Sequence, residues 1–195
     1  MEHYYSEKQE SDLNIRKIRQ KIRNADFEFY TSSGVFSKER IDKGTLLLAE
    51  NMLVGKNSKI LDIGCGIGIL GIAAAKLFDA KVVMSDINKR AVMLAKKNAK
   101  LNNIKAEICQ GNLYEKIKEN DFDSILSNPP QNAGKEVCFK LIEQSKNHLK
   151  NKGILQLVAR HNKGGKTLSG KMKEVFGNVK VIAKKAGYSV YVSAK

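Results

Sequence analysis

Apolar positions divide the chain near residue 59. Beyond it, short apolar runs alternate with longer segments whose apolar residues recur every three to four positions. The runs predict strands near 59–64, 81–86, 105–110, 122–127, 153–159, 178–184 and 188–193. Helical spacing fills 69–78, 88–101, 133–149 and 165–176; in the third of these Cys138, Leu141, Ile142, Ser145 and Leu149 share one face. Such alternation builds a parallel sheet with helices on both sides. Only a short turn at Ala186-Gly187 separates the last two strands, so they are antiparallel neighbours. The expected fold is α/β, a seven-stranded, Rossmann-like doubly wound sheet closed by a C-terminal antiparallel hairpin.

Before residue 59 the pattern is shorter-ranged. Ile15, Ile18 and Ile22, amid Arg16, Lys17, Arg19, Lys21 and Arg23, predict a short helix after an N-terminal arm. Residues 26–37 alternate and break at Ser32-Ser33-Gly34, which predicts a β-hairpin or ribbon. Asp42-Lys-Gly-Thr45 opens a helix through Leu46, Leu47, Leu48 and Met52. Residues 1–58 are thus expected as arm, ribbon and helix packed on a core of 59–195, in one domain.

Charge changes the picture regionally. The net charge is +15, and residues 146–195 hold 12 Lys/Arg against one acid. Such asymmetry points to an anionic partner, nucleic acid above all, the alternative being a lysine-rich solvated surface. Cys65, Cys109 and Cys138 are too far apart for a CxxC pair, so neither a metal site nor a disulfide framework is expected. No apolar signal region opens the chain and no run reaches transmembrane length, which predicts a cytoplasmic protein without membrane attachment.

The candidate chemistry begins at Asp62-Ile-Gly-Cys-Gly-Ile-Gly68, a strand end, a glycine turn and a helix start. Glycine lets the backbone take φ > 0 or approach a ligand, and a helix start offers free N–H groups. The next strand ends in Asp86, an acid placed to bind both hydroxyls of a ribose, with Ile87 beside it to cover an adenine face. Asn88 reads as a helix N-cap. The strand at 122–127 runs into Asn128-Pro129-Pro130, where two prolines remove donors and leave carbonyl and amide oxygens as acceptors for a planar –NH₂. Arg160-His-Asn-Lys-Gly-Gly-Lys-Thr167 ends like a phosphate-binding loop but lacks its first glycine; it reads as a basic loop able to meet RNA phosphates, or as a plain strand-to-helix turn.

Together, Asp62-x-Gly-x-Gly-x-Gly68, Asp86 and Asn128-Pro-Pro130 resemble a class I S-adenosylmethionine (SAM) dependent methyltransferase of the amino-methylating kind. Gly34-Val-Phe-Ser37 and Asp42-Lys-Gly-Thr45 make the chain similar to the catalytic domain of ribosomal-RNA guanine-N2 methyltransferases and their small archaeal relatives. The resemblance implies SAM as cofactor, with S-adenosylhomocysteine as product. It implies that Asp62, Gly64, Cys65, Gly66 and Gly68 hold the methionine end, Asp86 and Ile87 the ribose and adenine, and Asn112 and Leu113 the adenine edge. Asn112 stands where the family usually has an aspartate. Asn128, Pro129 and Pro130 would hold the target amine, and Asn128 would also border the cofactor. Gln131 replaces the family's stacking aromatic, for which Phe36, Tyr30 or Phe29 is a candidate substitute. Arg160, Lys163 and Lys166 are candidate RNA contacts. The implied reaction is N-methylation of a base amine, guanine N2 first, in rRNA or tRNA. The alternatives are a protein-glutamine methyltransferase and a SAM-fold RNA-binding or assembly factor without turnover.

Overall fold

The computed structural model describes residues 14–35, 41–130 and 134–195. It opens on an antiparallel ribbon of β1 (Arg16–Ile22) and β2 (Ala25–Thr31). The helix expected around Ile15, Ile18 and Ile22 is therefore a strand. Ile18, Gln20 and Ile22 turn inward while Lys17, Arg19 and Lys21 are exposed. A spacing of four suits a helix face and a strand face equally, and here the period of two prevails. The ribbon turns at Arg23-Asn24 rather than at Ser32-Ser33-Gly34. That turn is held from a distance: the Arg23 N–H donates to both Glu50 carboxylate oxygens at 3.0 Å, and its guanidinium to the Met52 carbonyl at 2.9 Å.

Helix α1 (Lys43–Asn51) follows, capped by Asp42, whose Oδ2 accepts the N–H groups of Gly44 (2.8 Å) and Thr45 (3.2 Å). Then come β3 (Lys59–Ile63), α2 (Ile69–Phe78), β4 (Lys81–Asp86), α3 (Lys89–Leu101), β5 (Ala106–Gln110), β6 (Phe122–Ser127), α4 (Lys135–His148), β7 (Leu149–Arg160), α5 (Lys166–Phe176), β8 (Lys180–Lys185) and β9 (Tyr188–Ala194). The spatial order is β5-β4-β3-β6-β7-β9-β8; β9 is antiparallel to β7 and β8, and the other pairs are parallel. This is the doubly wound sheet with its C-terminal hairpin that the hydrophobic pattern predicts.

Strand side chains alternate between two apolar layers. Ile60, Val82, Met84, Leu126 and Val190 pack with Leu48, Ile72, Ala73 and Leu94 of α1 to α3. Leu61, Ile63, Val83, Ile125 and Leu157 pack with Leu141, Ile142, Leu168 and Met172 of α4 and α5. Gly71 shows how closely α2 lies on the sheet, since a Cβ there would stand 2.6 Å from the Met84 sulfur. The ribbon docks on α3 through two asparagines one turn apart. Asn98 bonds both the N–H (2.6 Å) and the C=O (3.0 Å) of Tyr30, and Asn102 both groups of Glu28. Their side chains continue the edge ladder of β2. Among the described residues no helix is long and apolar enough to cross a membrane.

Candidate active site

Strand order reverses between β3 and β6, where an open doubly wound sheet leaves a crevice at its carboxyl edge. A cleft of about 290 Å³ lies there. It is lined by Asp62 to Ile67, by Asp86 and Ile87 after β4, by Asn112 and Leu113 after β5, and by Asn128 to Pro130 after β6. Thr45, Val137 and Leu141 also line it.

The glycine loop is tied to its neighbour strand. Gly64 and Cys65 both donate to the Ser85 carbonyl, at 2.9 and 3.0 Å, and Gly66 donates to Asp86 Oδ2 at 2.7 Å. Gly64 and Gly66 have φ of +66° and +56°, and a Cβ at either would meet nothing within 4 Å. Glycine is needed there for backbone geometry, and its missing side chain leaves the cleft open. Gly68 differs. It caps α2 against Ile72, Ala95 and Met84 and lies behind the cleft lining rather than in it. Cys65 is buried, and burial holds its thiol protonated, well above the ordinary range.

Asp62 is 1% exposed. Its Oδ2 accepts the Gly71 N–H at 2.9 Å, while its Oδ1 is buried without a partner among the described residues. Desolvation pushes this carboxyl up to about 7, the Gly71 N–H opposes the shift, and the nearby Asp86 charge adds to it. Burial also raises Asp86, against the pull of N–H groups from Asn88, Gly66 and Ile87. An enclosed carboxylate oxygen lacking a donor fits a cationic amine.

Asn128 is oriented from the opposite wall. Its Nδ2 donates to Thr45 Oγ1 at 2.9 Å and to Asp42 Oδ2 at 3.2 Å. Both amide hydrogens are thereby used. The oxygen is the part left to meet a ligand, and it can only accept. Ser127, just before it, donates its hydroxyl to the Ile63 carbonyl at 2.7 Å, which fixes β6 against β3 at the reversal point.

The other candidates are more scattered. Asn88 caps α3, accepting from Arg90 and Ala91, and donates to the Gly34 carbonyl. Arg160 ends β7 with its Nε on the Tyr188 hydroxyl at 3.0 Å, Lys163 lies in the irregular turn after it, and Lys166 opens α5; none of the three lines the cleft. Phe29 is fully buried beside Phe27, their ring centroids 6.0 Å apart, so it offers no stacking face. Phe36 and Gln131 lie outside the described residues. Sequence reasoning missed the part of Thr45, which was legible only as a helix start and as one end of the Asp42-Lys-Gly-Thr45 motif that carries the resemblance.

Comparison with known proteins supplies a family. Residues 26–192 match the family model described as methyltransferase small domain. YbxB of Bacillus subtilis is 39% identical over 100% of this chain and 98% of its own. Ribosomal RNA small subunit methyltransferase C of Hamiltonella defensa is 32% identical over 94% of this chain and 55% of its own, so the chain spans about half that relative's length. A Methanocaldococcus jannaschii protein named as a candidate protein N5-glutamine methyltransferase is 33% identical over 72% of this chain. Among solved structures, T. thermophilus 16S rRNA N2 methyltransferase RsmC, in complex with AdoMet and guanosine, aligns with a TM-score of 0.83 at 26% identity, covering 95% of this chain and 51% of that one.

Proposed function

The chain belongs to the methyltransferase small domain family and is a SAM-dependent methyltransferase, and on that premise we propose that its substrate is an exocyclic base amine, guanine N2, in structured RNA. One observation carries the proposal: Thr45 and Asp42 take both hydrogens of the Asn128 amide, so a residue that lines the cleft keeps its oxygen as an acceptor. An acceptor there selects a substrate that donates, as –NH₂ does, over a carboxylate. The N2 activity on 16S rRNA named for the aligned RsmC, together with the basic C-terminal third, supports RNA among amine substrates.

When bound, SAM supplies the electrophilic methyl group and leaves as S-adenosylhomocysteine. In this proposal Asp62 accepts from its ammonium, which answers the unpartnered Oδ1. The opened backbone at Gly64 and Gly66, with Cys65 between them, would admit the methionine chain, Asp86 would hold the ribose, and Ile87, Asn112 and Leu113 would hold the adenine. On the substrate side, the lone pair of an aromatic –NH₂ is delocalised into the ring. The Asn128 oxygen and the backbone carbonyls beside Pro129 and Pro130 accept its hydrogens, favour the pyramidal nitrogen and aim its lone pair at the methyl group. Positive charge grows on that nitrogen as the bond forms, and the same acceptors stabilise it. A paired base must first leave its stack to reach them. Lys163 and Lys166, in the turn after β7 and at the start of α5, would contact phosphates outside the cleft.

The test is transfer from labelled SAM to deproteinised ribosomal RNA and, separately, to total protein. The expected product is N2-methylguanosine in the RNA, lost in Asn128→Ala. Label on a protein glutamine, the substrate class named for the M. jannaschii relative, would replace this reading. Label in neither would leave a SAM-binding module without turnover.

A further inference from the structure

The hydrogen bonds that orient Asn128 do not stop at Asp42. Asp42 Oδ1 accepts the hydroxyl of Tyr188 at 3.0 Å, and the Tyr188 oxygen in turn accepts the Arg160 Nε at 3.0 Å. The direction is unambiguous, because an Arg nitrogen only donates and the phenol hydrogen is then left for the carboxylate. The Arg160 guanidinium also lies over the Tyr188 ring, 5.2 Å from its centroid. The ring packs so tightly on the first turn of α1 that a Cβ at Gly44 would stand 2.7 Å from two of its carbons. Tyr188 begins β9 and is 9% exposed. The C-terminal hairpin therefore grips the cap of α1, and that cap grips the amide beside the cleft.

We infer that Tyr188, held by Arg160 and acting through Asp42, is a positioning residue for Asn128. The inference rests on the amine-methyltransferase reading above. An Asn side chain can present either its oxygen or its NH₂, and only the oxygen serves a substrate amine. Asp42 Oδ2 also accepts Gly44 and Thr45, so any movement of this carboxylate disturbs the cap and the amide together. Tyr188 bonds the other oxygen and fixes the rotation of the carboxylate. This gives Arg160 a structural task at the sheet's edge, distinct from the phosphate contact that its loop suggests in sequence.

The experiment compares Tyr188→Phe, Arg160→Ala and the double variant in the full chain. It reads kcat on ribosomal RNA, the SAM Kd by calorimetry, and hydrogen exchange of the Asn128 side-chain amide by NMR. Tyr188→Phe keeps the ring and is expected to lower kcat on the order of tenfold or more, the scale of a misplaced reacting group, with SAM Kd unchanged. The Asn128 amide should exchange faster. The double variant should be no slower than Tyr188→Phe alone, because both substitutions break one chain of bonds. Wild-type kcat in Tyr188→Phe, or effects that multiply in the double variant, would overturn the inference. So would Arg160→Ala raising the KM for RNA at unchanged kcat, since Arg160 would then act on RNA directly. Should the wild type leave RNA unmethylated, the substrate reading fails, and the amide exchange decides the relay alone: faster exchange in Tyr188→Phe supports it and unchanged exchange overturns it.

Discussion

Asp62 shows why a buried carboxylate at a strand end belongs to a site. A purely structural acid would have both oxygens satisfied, but only Oδ2 is, by the Gly71 N–H. Its raised value of about 7 sets two pH effects. Below about 4 the carboxyl is protonated in folded and unfolded chains alike, and this group's contribution to the ligand-free fold is fully present. It is lost as pH rises through 7, because the folded protein must then bury a charge. Ligand binding runs the other way, since an ammonium needs the carboxylate. SAM affinity is predicted to weaken roughly tenfold from pH 8 to pH 6, and the effect should vanish in Asp62→Asn, which binds more weakly throughout. Calorimetry across that range checks this; equal pH slopes in the two proteins would remove Asp62 from the ligand's charge. Asp62, Asp86 and Asn128 were legible in sequence because glycines and prolines mark the turns that carry them. The contacts of Thr45 with Asn128 and of Tyr188 with Asp42 were not, because these partners lie 83 and 146 positions apart.

At the level of elements, the ribbon is the part that sequence misread. Its strands are charged on the outer face and lean on α3, so their pairing is decided by tertiary contacts rather than by local pattern. Asn98 is the centre of that contact. Besides Tyr30 it donates to the Ile67 carbonyl at 2.9 Å, so one side chain joins ribbon, α3 and glycine loop. Asn98→Ala would strand the Tyr30 N–H and the carbonyls of Tyr30 and Ile67, a loss of about 3 kcal/mol at the lower end of roughly 1–3 kcal/mol per orphaned group. Thermal melting should fall by several degrees and SAM affinity should drop with it, through the loosened loop. Unchanged melting would mean that water replaces these bonds freely. The sheet was far more legible, since buried parallel strands and their helices each carry a distinct period.

Across the whole molecule the excess charge divides between the two ends of the sheet. Lys185 pairs with Tyr188, and Tyr188 with Arg160, so Lys184 and Lys185 lie at the same carboxyl edge as the cleft. Lys150, Lys152 and Lys195 cluster at the opposite edge, where Lys150 pairs with Asp123 and the Lys152 N–H with the Lys195 carbonyl. Composition showed the bias, but only strand register could sort it. Lys184→Ala/Lys185→Ala is predicted to weaken RNA binding and to lower the salt slope by roughly two phosphate contacts, with SAM affinity intact. Lys152→Ala should change neither, and equal losses from both edges would mean that RNA contacts are not confined to the cleft side. The central claim is tested most directly by nucleoside mass spectrometry of ribosomal and transfer RNA from cells lacking this protein. The account predicts the loss of one N2-methylguanosine, restored by the wild-type chain and not by Asn128→Ala; an unchanged set of methylated nucleosides would contradict it.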